Sequence, residues 1–308
     1  MTTLIHTYPR DLLRIADLGP AELQTLLDRA AAMKADRNGW LGVLRGGSVA
    51  CYFAKPSTRT RVSVEAAVHR LGGLPIMLRP DELQLGRGEP IADTARVLSS
   101  YCAAIVIRTF AQDDVAEMAG AASVPVVNAL TDDHHPCQAL ADLLTLHQRF
   151  GRLEGLRVAY IGDGNNVAHS LIESAPLAGF ELALACPQGY LPDPEILRAA
   201  GPAVHLFEDP RDAVIGAHAV YTDVWVSMGD ERERAERMSV LAPFRVDSRL
   251  MALASRDAIF LHCLPAHRGE EVAADVIDGP SSAVWEQAAN RLPTEQAVLH
   301  ALVTGWEG

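Results

Sequence analysis

The sequence predicts an α/β fold of two domains, each a parallel sheet flanked by helices, with an interdomain cleft. Three observations predict it. Short apolar runs of strand length recur along the chain, helix-patterned segments separate them, and 308 residues are long for one domain and comfortable for two. A helix is expected over 20–34 and a first strand over 49–54. Pro56 then fixes the approach to a helix over 60–71, which Ser57 or Thr58 can cap. Strands over 75–78, 104–108 and 124–128 follow, with a helix over 91–101. Pro136 suits the first turn of a helix over 136–150 and pushes His135 out of helical dihedrals. Residues 151–155 are loop-like, so the first domain is expected over 1–150 and the second over 151–287. Five further strands are expected, over 157–161, 181–185, 204–207, 219–222 and 259–262. Residues 288–302 pattern as a helix with no strand after it, and the 288–308 end is expected to pack back onto the first domain.

About half the residues are apolar, enough for a sizeable core, and the formal net charge is −12. That charge argues against general nucleic-acid binding and against an anionic membrane surface. It leaves room for a phosphate ligand, because local arginines set the field inside a cleft. The five cysteines (Cys51, Cys102, Cys137, Cys186 and Cys263) are scattered and odd in number, without CxxC spacing. Reduced thiols in a cytoplasmic protein are expected, without a disulfide framework or zinc site. The N-terminal residues lack the pattern of a secretory signal, and no stretch approaches the roughly 20 apolar residues of a membrane span.

Strand exits of a parallel sheet face one edge, where small ligands bind. Ser57, Thr58, Arg59, Thr60 and Arg61 follow the first of these strands. Hydroxyls and guanidinia at a helix start suit an oxyanion, although a capped helix with solvent-facing arginines accounts for them as well. Arg108 ends another strand, and His135 and Gln138 flank Pro136 at the next helix. The convergence of three separate segments favours a site. Gly162, Asp163, Gly164, Asn165, Asn166 and Val167 lack the third glycine and the later acid of a dinucleotide fingerprint. The asparagine pair suits the carboxylate or amide of a small ligand, and a tight strand–helix turn explains the segment equally. Asp223 offers a carboxylate to an amine and Ser227 a hydroxyl, while the charged residues 230–237 are expected to be a solvated helix face. Cys263, at the last strand end, is either a functional thiol or a buried one.

Taken in order, these segments closely resemble the carbamoyltransferase family over about residues 12–302. Ser57, Thr58, Arg59 and Thr60 match its carbamoyl-phosphate motif, and His135, Pro136, Cys137 and Gln138 its HPxQ motif. Asp223, Trp225, Ser227, Met228 and Gly229, with His262, Cys263, Leu264 and Pro265, resemble the ornithine branch. The resemblance implies transfer of a carbamoyl group from carbamoyl phosphate to the side-chain amine of L-ornithine, giving citrulline and phosphate in arginine biosynthesis. It implies that Ser57, Thr58, Arg59, Thr60, Arg108 and Arg291 hold carbamoyl phosphate, with His135 and Gln138 at its carbamoyl group. Gln84 matches a loop that reaches into a neighbouring subunit's site. Asn166 and the Met228 backbone are implied for the ornithine carboxylate, and Asp223 and Ser227 for its α-amine. Cys263 is implied near the reacting amine and Leu264 near the carbamoyl nitrogen, with a cis bond of the Leu264–Pro265 type. The implied assembly is a homotrimer or a multiple of it.

Arg108, His135, Asp223 and Cys263 are thus the expected catalytic residues. Pro293 is expected to alter the start of the next helix, which bears on the aim of Arg291. No metal or organic cofactor is expected, because the phosphate is already an activated leaving group. Other carbamoyl acceptors (aspartate, putrescine or an acylated ornithine) and a non-catalytic sensor on the same fold are the competing expectations.

Overall fold

The computed structural model describes residues 8–226 and 233–306. Backbone contacts divide the chain into two compact units, Met1–Leu140 with Arg291–Gly308, and Ala141–Asn290.

In the first stretch the elements run α1 (Pro20–Ala35), β1 (Ser48–Phe53), α2 (Thr58–Arg70), β2 (Leu74–Leu78), α3 (Ile91–Tyr101), β3 (Ala104–Arg108), α4 (Gln112–Ala121), β4 (Val126–Leu130) and α5 (Pro136–Phe150). The four strands form one parallel sheet in the order β2-β1-β3-β4. Its core gathers Ala50, Ile105, Ile107, Val115, Met118 and Val126. The order reverses between β1 and β3, and such a switch point leaves a crevice outside the carboxyl ends of the two strands. Ser57 follows β1 there and Arg108 ends β3. A bulge sits at the same place, since Ile107 pairs with Asn128 but Arg108 with Leu130. Bulges bend a strand and re-aim the side chain beside them.

β4 begins two residues later than the expected 124–128. Pro125 is the cause. It has no N–H for a ladder, and only its carbonyl takes part, accepting from Ile105 N at 2.9 Å.

The second stretch continues with β5 (Arg157–Ile161), α6 (Asn166–Ala178), β6 (Glu181–Ala185), α7 (Pro194–Ala200), β7 (Val204–Phe207), α8 (Pro210–Val214), β8 (Ala219–Thr222), α9 (Arg234–Leu241), α10 (Ser248–Met251), β9 (Ile259–Leu261), α11 (Ala274–Ile277) and α12 (Val284–Thr304). Five parallel strands lie in the order β7-β6-β5-β8-β9. Ile161, Ala183, Val220, Phe260 and Val276 belong to the core beneath the helices. Here the order reverses between β5 and β8, so the segments after Ile161 and Thr222 share the crevice end. Close backbone approach fixes Gly164 in the first of them, because a Cβ there would lie 2.3 Å from Pro192 N.

The expectation for Pro293 requires correction. Pro293 starts no helix and lies inside α12. A proline there forgoes one intrahelical bond. The surrounding turns are buried by Val298, Leu299 and Ala301, which hold the helix through its packing. Among the described residues no helix is long and apolar enough to cross a membrane.

Candidate active site

The first unit's crevice is built around Arg291. Its Nη1 donates to Gln138 Oε1 at 2.9 Å, and its Nη2 donates to Thr60 Oγ1 at 3.1 Å and to Glu295 Oε1 at 2.7 Å. One planar fork therefore joins the start of α2, the start of α5 and α12. Arginine suits this because its donors are fixed in direction. All four residues are buried. Burial raises the Glu295 carboxyl above its ordinary pKa, and the Arg291 charge together with bonds from Ser63 and Arg291 pulls it back.

Ser57 caps α2, its hydroxyl accepting from Thr60 N at 3.2 Å. The first turn holds no acid but carries Arg59 and Arg61, two cations at the positive end of a helix. The helix dipole disfavours that arrangement unless an anion shares the site. Arg61 is engaged with Glu65 at 3.0 Å. Arg59 is half-buried and Thr58 exposed.

His135 is buried beside the same group. Burial, and then the charges of Arg291, Arg108 and Arg59, hold its imidazole well below the ordinary pKa of 6.5. The ring is neutral at neutral pH, so it has an N–H to donate and no charge. Its carbonyl accepts from Gln138 N at 3.1 Å and Ala139 N at 3.2 Å, starting α5. Arg108, His135, Gln138, Thr60 and Arg291 are thus brought together as the sequence suggests. Gln84 lies elsewhere in this unit, exposed on the 3-10 turn Gln84–Arg87.

In the second unit the group centres on Asp223, buried just after β8. Its Oδ2 accepts from Asn165 Nδ2 at 2.8 Å and its Oδ1 from the Cys263 thiol at 2.9 Å. Asn165 caps α6, its Oδ1 accepting from Val167 N at 2.9 Å and Ala168 N at 3.2 Å. The amide that starts the helix thereby also aims the carboxylate. A carboxylate has about four lone-pair sites, so Asp223 keeps acceptor capacity for an ammonium. Asn166 is half-buried in the first turn of α6. Leu264 takes φ 61, and the Leu264–Pro265 bond is cis. Ser227, Met228 and Gly229 lie outside the described residues.

Sequence reasoning missed three partners. Glu295 stands four residues after Arg291, helical ion-pair spacing that the sequence does display. Arg237 falls in the stretch expected to be a solvated face, yet it is buried, donating to Asp163 Oδ2 at 2.9 Å and stacking over Tyr190. Glu271 is buried against His262 at 3.1 Å, and no local pattern announces it.

Metal-ligating atoms of Asp223, His262 and Cys263 lie within 4.8 Å of one another, as do those of His267, Glu270 and Glu271. Both His262 ring nitrogens are already engaged, with Leu264 N and Glu271. A cation at the first group would have to break one of those bonds.

A family model described as the carbamoyl-P binding domain of aspartate/ornithine carbamoyltransferase matches residues 10–148, and one described as its Asp/Orn binding domain matches 154–302. The chain is 54% identical over 301 residues to the ornithine carbamoyltransferase of Acidothermus cellulolyticus, covering 96% of each protein. It is 49% identical over 312 residues to that of Bacillus subtilis, covering 98% of this chain and 97% of that one. The solved ornithine carbamoyltransferase of Pyrococcus furiosus superposes with a TM-score of 0.90 at 47% identity, covering 95% of this chain and 96% of that one. That of Thermus thermophilus gives 0.90 at 45% identity, covering 96% and 100%.

Proposed function

The chain belongs to the aspartate/ornithine carbamoyltransferase family, and from that premise we propose that it transfers the carbamoyl group of carbamoyl phosphate to the side-chain amine of L-ornithine. The products are L-citrulline and phosphate, a step of arginine biosynthesis. One observation carries this reading: the buried Arg291 guanidinium holds both Thr60, at the start of α2, and Gln138, at the start of α5 next to the buried His135. A cation that ties a hydroxyl and an amide together beside an imidazole suits an acyl phosphate, which needs positive charge at its phosphate and donors at its carbonyl.

The chemistry assigns the roles. The amine nitrogen forms a bond to the carbonyl carbon, and the bond to the phosphate oxygen then breaks. The amine must first lose a proton, since an ammonium has no lone pair and its reference pKa is about 10. The carbonyl oxygen gains charge in the tetrahedral transition state, so donors must already point at it. His135, Arg108 and Thr60 are those donors. Thr60 accepts from Arg291, which leaves its hydroxyl proton to donate. Arg59, Arg108 and the Ser57-capped start of α2 hold the phosphate more tightly as it leaves. Gln138, held by Arg291, contacts the carbamoyl group of the bound substrate.

On the acceptor side Asn166 and the Met228 backbone bind the ornithine carboxylate, and Asp223 and Ser227 its α-ammonium. Cys263 faces the attacking amine and Leu264 the carbamoyl nitrogen. The same reading makes the assembly a homotrimer or a multiple of one, with Gln84 lent to a neighbouring site, and makes the enzyme cytoplasmic.

A steady-state assay of citrulline formation tests it, with carbamoyl phosphate fixed and L-ornithine varied beside aspartate, putrescine and an acylated ornithine. Saturable turnover with ornithine and far weaker turnover with the other three is expected. Preference for any of the others would overturn the acceptor assignment.

A further inference from the structure

We propose that Tyr190 is a positioning residue for the amino-acid side of the site, holding the turn before Asn165 and Asn166 together with α9. The inference rests on the reading above, in which Asn166 and the segment with Ser227 and Met228 bind ornithine.

Tyr190 lies in the loop between β6 and α7, and that loop is pinned on both sides of it. Tyr190 N donates to Pro187 O at 3.0 Å, and Asp193 N donates to His169 Nε2 of α6 at 3.0 Å. Between these points the loop presses on the turn that leads into α6. Gly164 N donates to Tyr190 O at 2.8 Å, and a Cβ on Gly164 would strike Leu191 and Pro192. Asn165 and Asn166 are the next two residues, so the loop backs the start of the helix that carries them.

The Tyr190 ring makes a second contact. Its centroid lies 4.9 Å from the Arg237 guanidinium carbon. Arg237 comes from α9, the first helix after the segment with Ser227 and Met228, and its Nη1 donates to Asp163 Oδ2 at 2.9 Å. Asp163 belongs to the same turn as Gly164. Both members of this ion pair are buried. One cation thus joins two stretches that the reading assigns to ornithine, and Tyr190 touches both, by its carbonyl and by its ring. An aromatic face attracts a guanidinium, the more so where water is kept away, and the stacked plane fixes the direction of the fork. Glu233 is a weaker hold on the same group, at 3.7 Å with its own side chain mostly in water. Without the ring, Arg237 would keep its charge and lose its direction, and the turn and α9 would shift independently.

The test compares Tyr190→Leu with Tyr190→Phe in the full-length enzyme. Tyr190→Phe keeps the aromatic face and is expected to behave as the unsubstituted enzyme. Tyr190→Leu removes it and is expected to raise the ornithine KM about tenfold, the scale of a desolvated cation–π contact, with the carbamoyl phosphate KM changed less than about twofold. An equal rise for both substrates would overturn the proposal, and so would an equal rise in Tyr190→Phe. A purely structural role would lower the urea midpoint and leave the ornithine KM of the folded enzyme unchanged, which would also overturn it. Asp163→Asn combined with Tyr190→Leu is expected to raise the KM by less than the product of the single effects, because both act on Arg237. Strict additivity would rule out that route. Should Tyr190→Leu not fold, Tyr190→Met takes its place, since a flexible thioether fills irregular space without an aromatic face. Hydrogen exchange with no substrate present is expected to be faster at Gly164 and along α9 in Tyr190→Leu than in Tyr190→Phe, and equal rates would sink the idea. Because that measurement needs no turnover, absence of citrulline formation by the unsubstituted enzyme would count against the functional reading alone.

Discussion

Arg291 donates to Gln138 Oε1 at 2.9 Å although 153 positions separate them in sequence. The same guanidinium reaches Thr60 and Glu295, so the aim of two proposed ligand-binding side chains depends on one α12 residue. Replacing Arg291 by Met leaves Glu295 buried without its cation. Breaking a buried pair in this way costs about 3–5 kcal/mol. Arg291→Met is therefore expected to lower the urea midpoint sharply. Adding Glu295→Leu is expected to restore much of the stability and none of the carbamoyl phosphate affinity. Recovery of both in calorimetry would assign Arg291 to stability alone.

Arg59 sits in the first turn of α2, where the dipole disfavours it unless an anion is present. Arg59→Ala is expected to lower kcat by about 100-fold, the usual loss when one preorganised donor to developing charge is removed. The folded enzyme should be no less stable, since a dipole conflict has been relieved. An unchanged rate at saturating substrates would refute the role.

How much of this was legible depends on the range of each interaction. β3, β5, β6 and β8 begin and end where apolar runs alone put them, because a buried strand declares itself residue by residue, and the half-exposed edge strand β7 keeps its expected bounds as well. β4 was displaced because Pro125 lacks the donor that the apolar pattern cannot weigh. Thr60, Arg108, His135 and Gln138 were legible as strand exits, since parallel sheets send all exits to one edge. The Asn165 bond to Asp223 was not legible, since it joins segments 58 positions apart and depends on the reversal of strand order between β5 and β8. Arg237 was misjudged for a related reason. Charge in a sequence marks exposure until a partner such as Asp163 is brought to it.

Asp223 is held by Asn165 and Cys263, which leaves its remaining lone pairs directed by protein contacts on both oxygens. Asp223→Ala is expected to raise the ornithine Kd by at least tenfold and to change carbamoyl phosphate binding by less than about twofold, because a charge-assisted bond to an ammonium contributes roughly 1.5–3 kcal/mol. Isothermal titration with each ligand separately checks this. Equal loss for both ligands would contradict the division of labour between the two groups.

Gly164 leaves no room for a methyl group, since the built Cβ meets the backbone nitrogen and Cδ of Pro192 at 2.3 and 2.6 Å. Backbone atoms cannot swing aside as a flexible side chain can. Gly164→Ala is expected to destabilise by about 1–3 kcal/mol, the usual cost of overpacking. It should also weaken ornithine binding, because Asn165 and Asn166 are the next two residues. Chemical denaturation and ornithine titration of the same sample would separate the two effects, and an unaltered midpoint would show that the turn yields.

His135 supplies a signed pH dependence. Burial and three guanidinia lower its folded pKa well below 6.5, while the unfolded chain keeps an ordinary value. At pH 7 the folded state binds no proton there and the unfolded state only about a quarter of one, so the linkage contribution is small. As pH falls below about 6.5 the unfolded state takes up a proton that the folded state refuses, so stability drops by up to about 1.4 kcal/mol per pH unit. The loss continues downward until the folded value is reached. His135→Gln removes the titrating group and should flatten this limb, so the stability difference between the two proteins shrinks or reverses from pH 7 to pH 5. His300, also lowered by burial, is present in both proteins and cancels. Urea midpoints at pH 7.5, 6 and 5 would measure the difference. Parallel curves would mean that His135 takes up its proton in the folded enzyme as readily as in the unfolded chain, and the neutral donor required at the carbonyl would then be lost under mildly acid conditions.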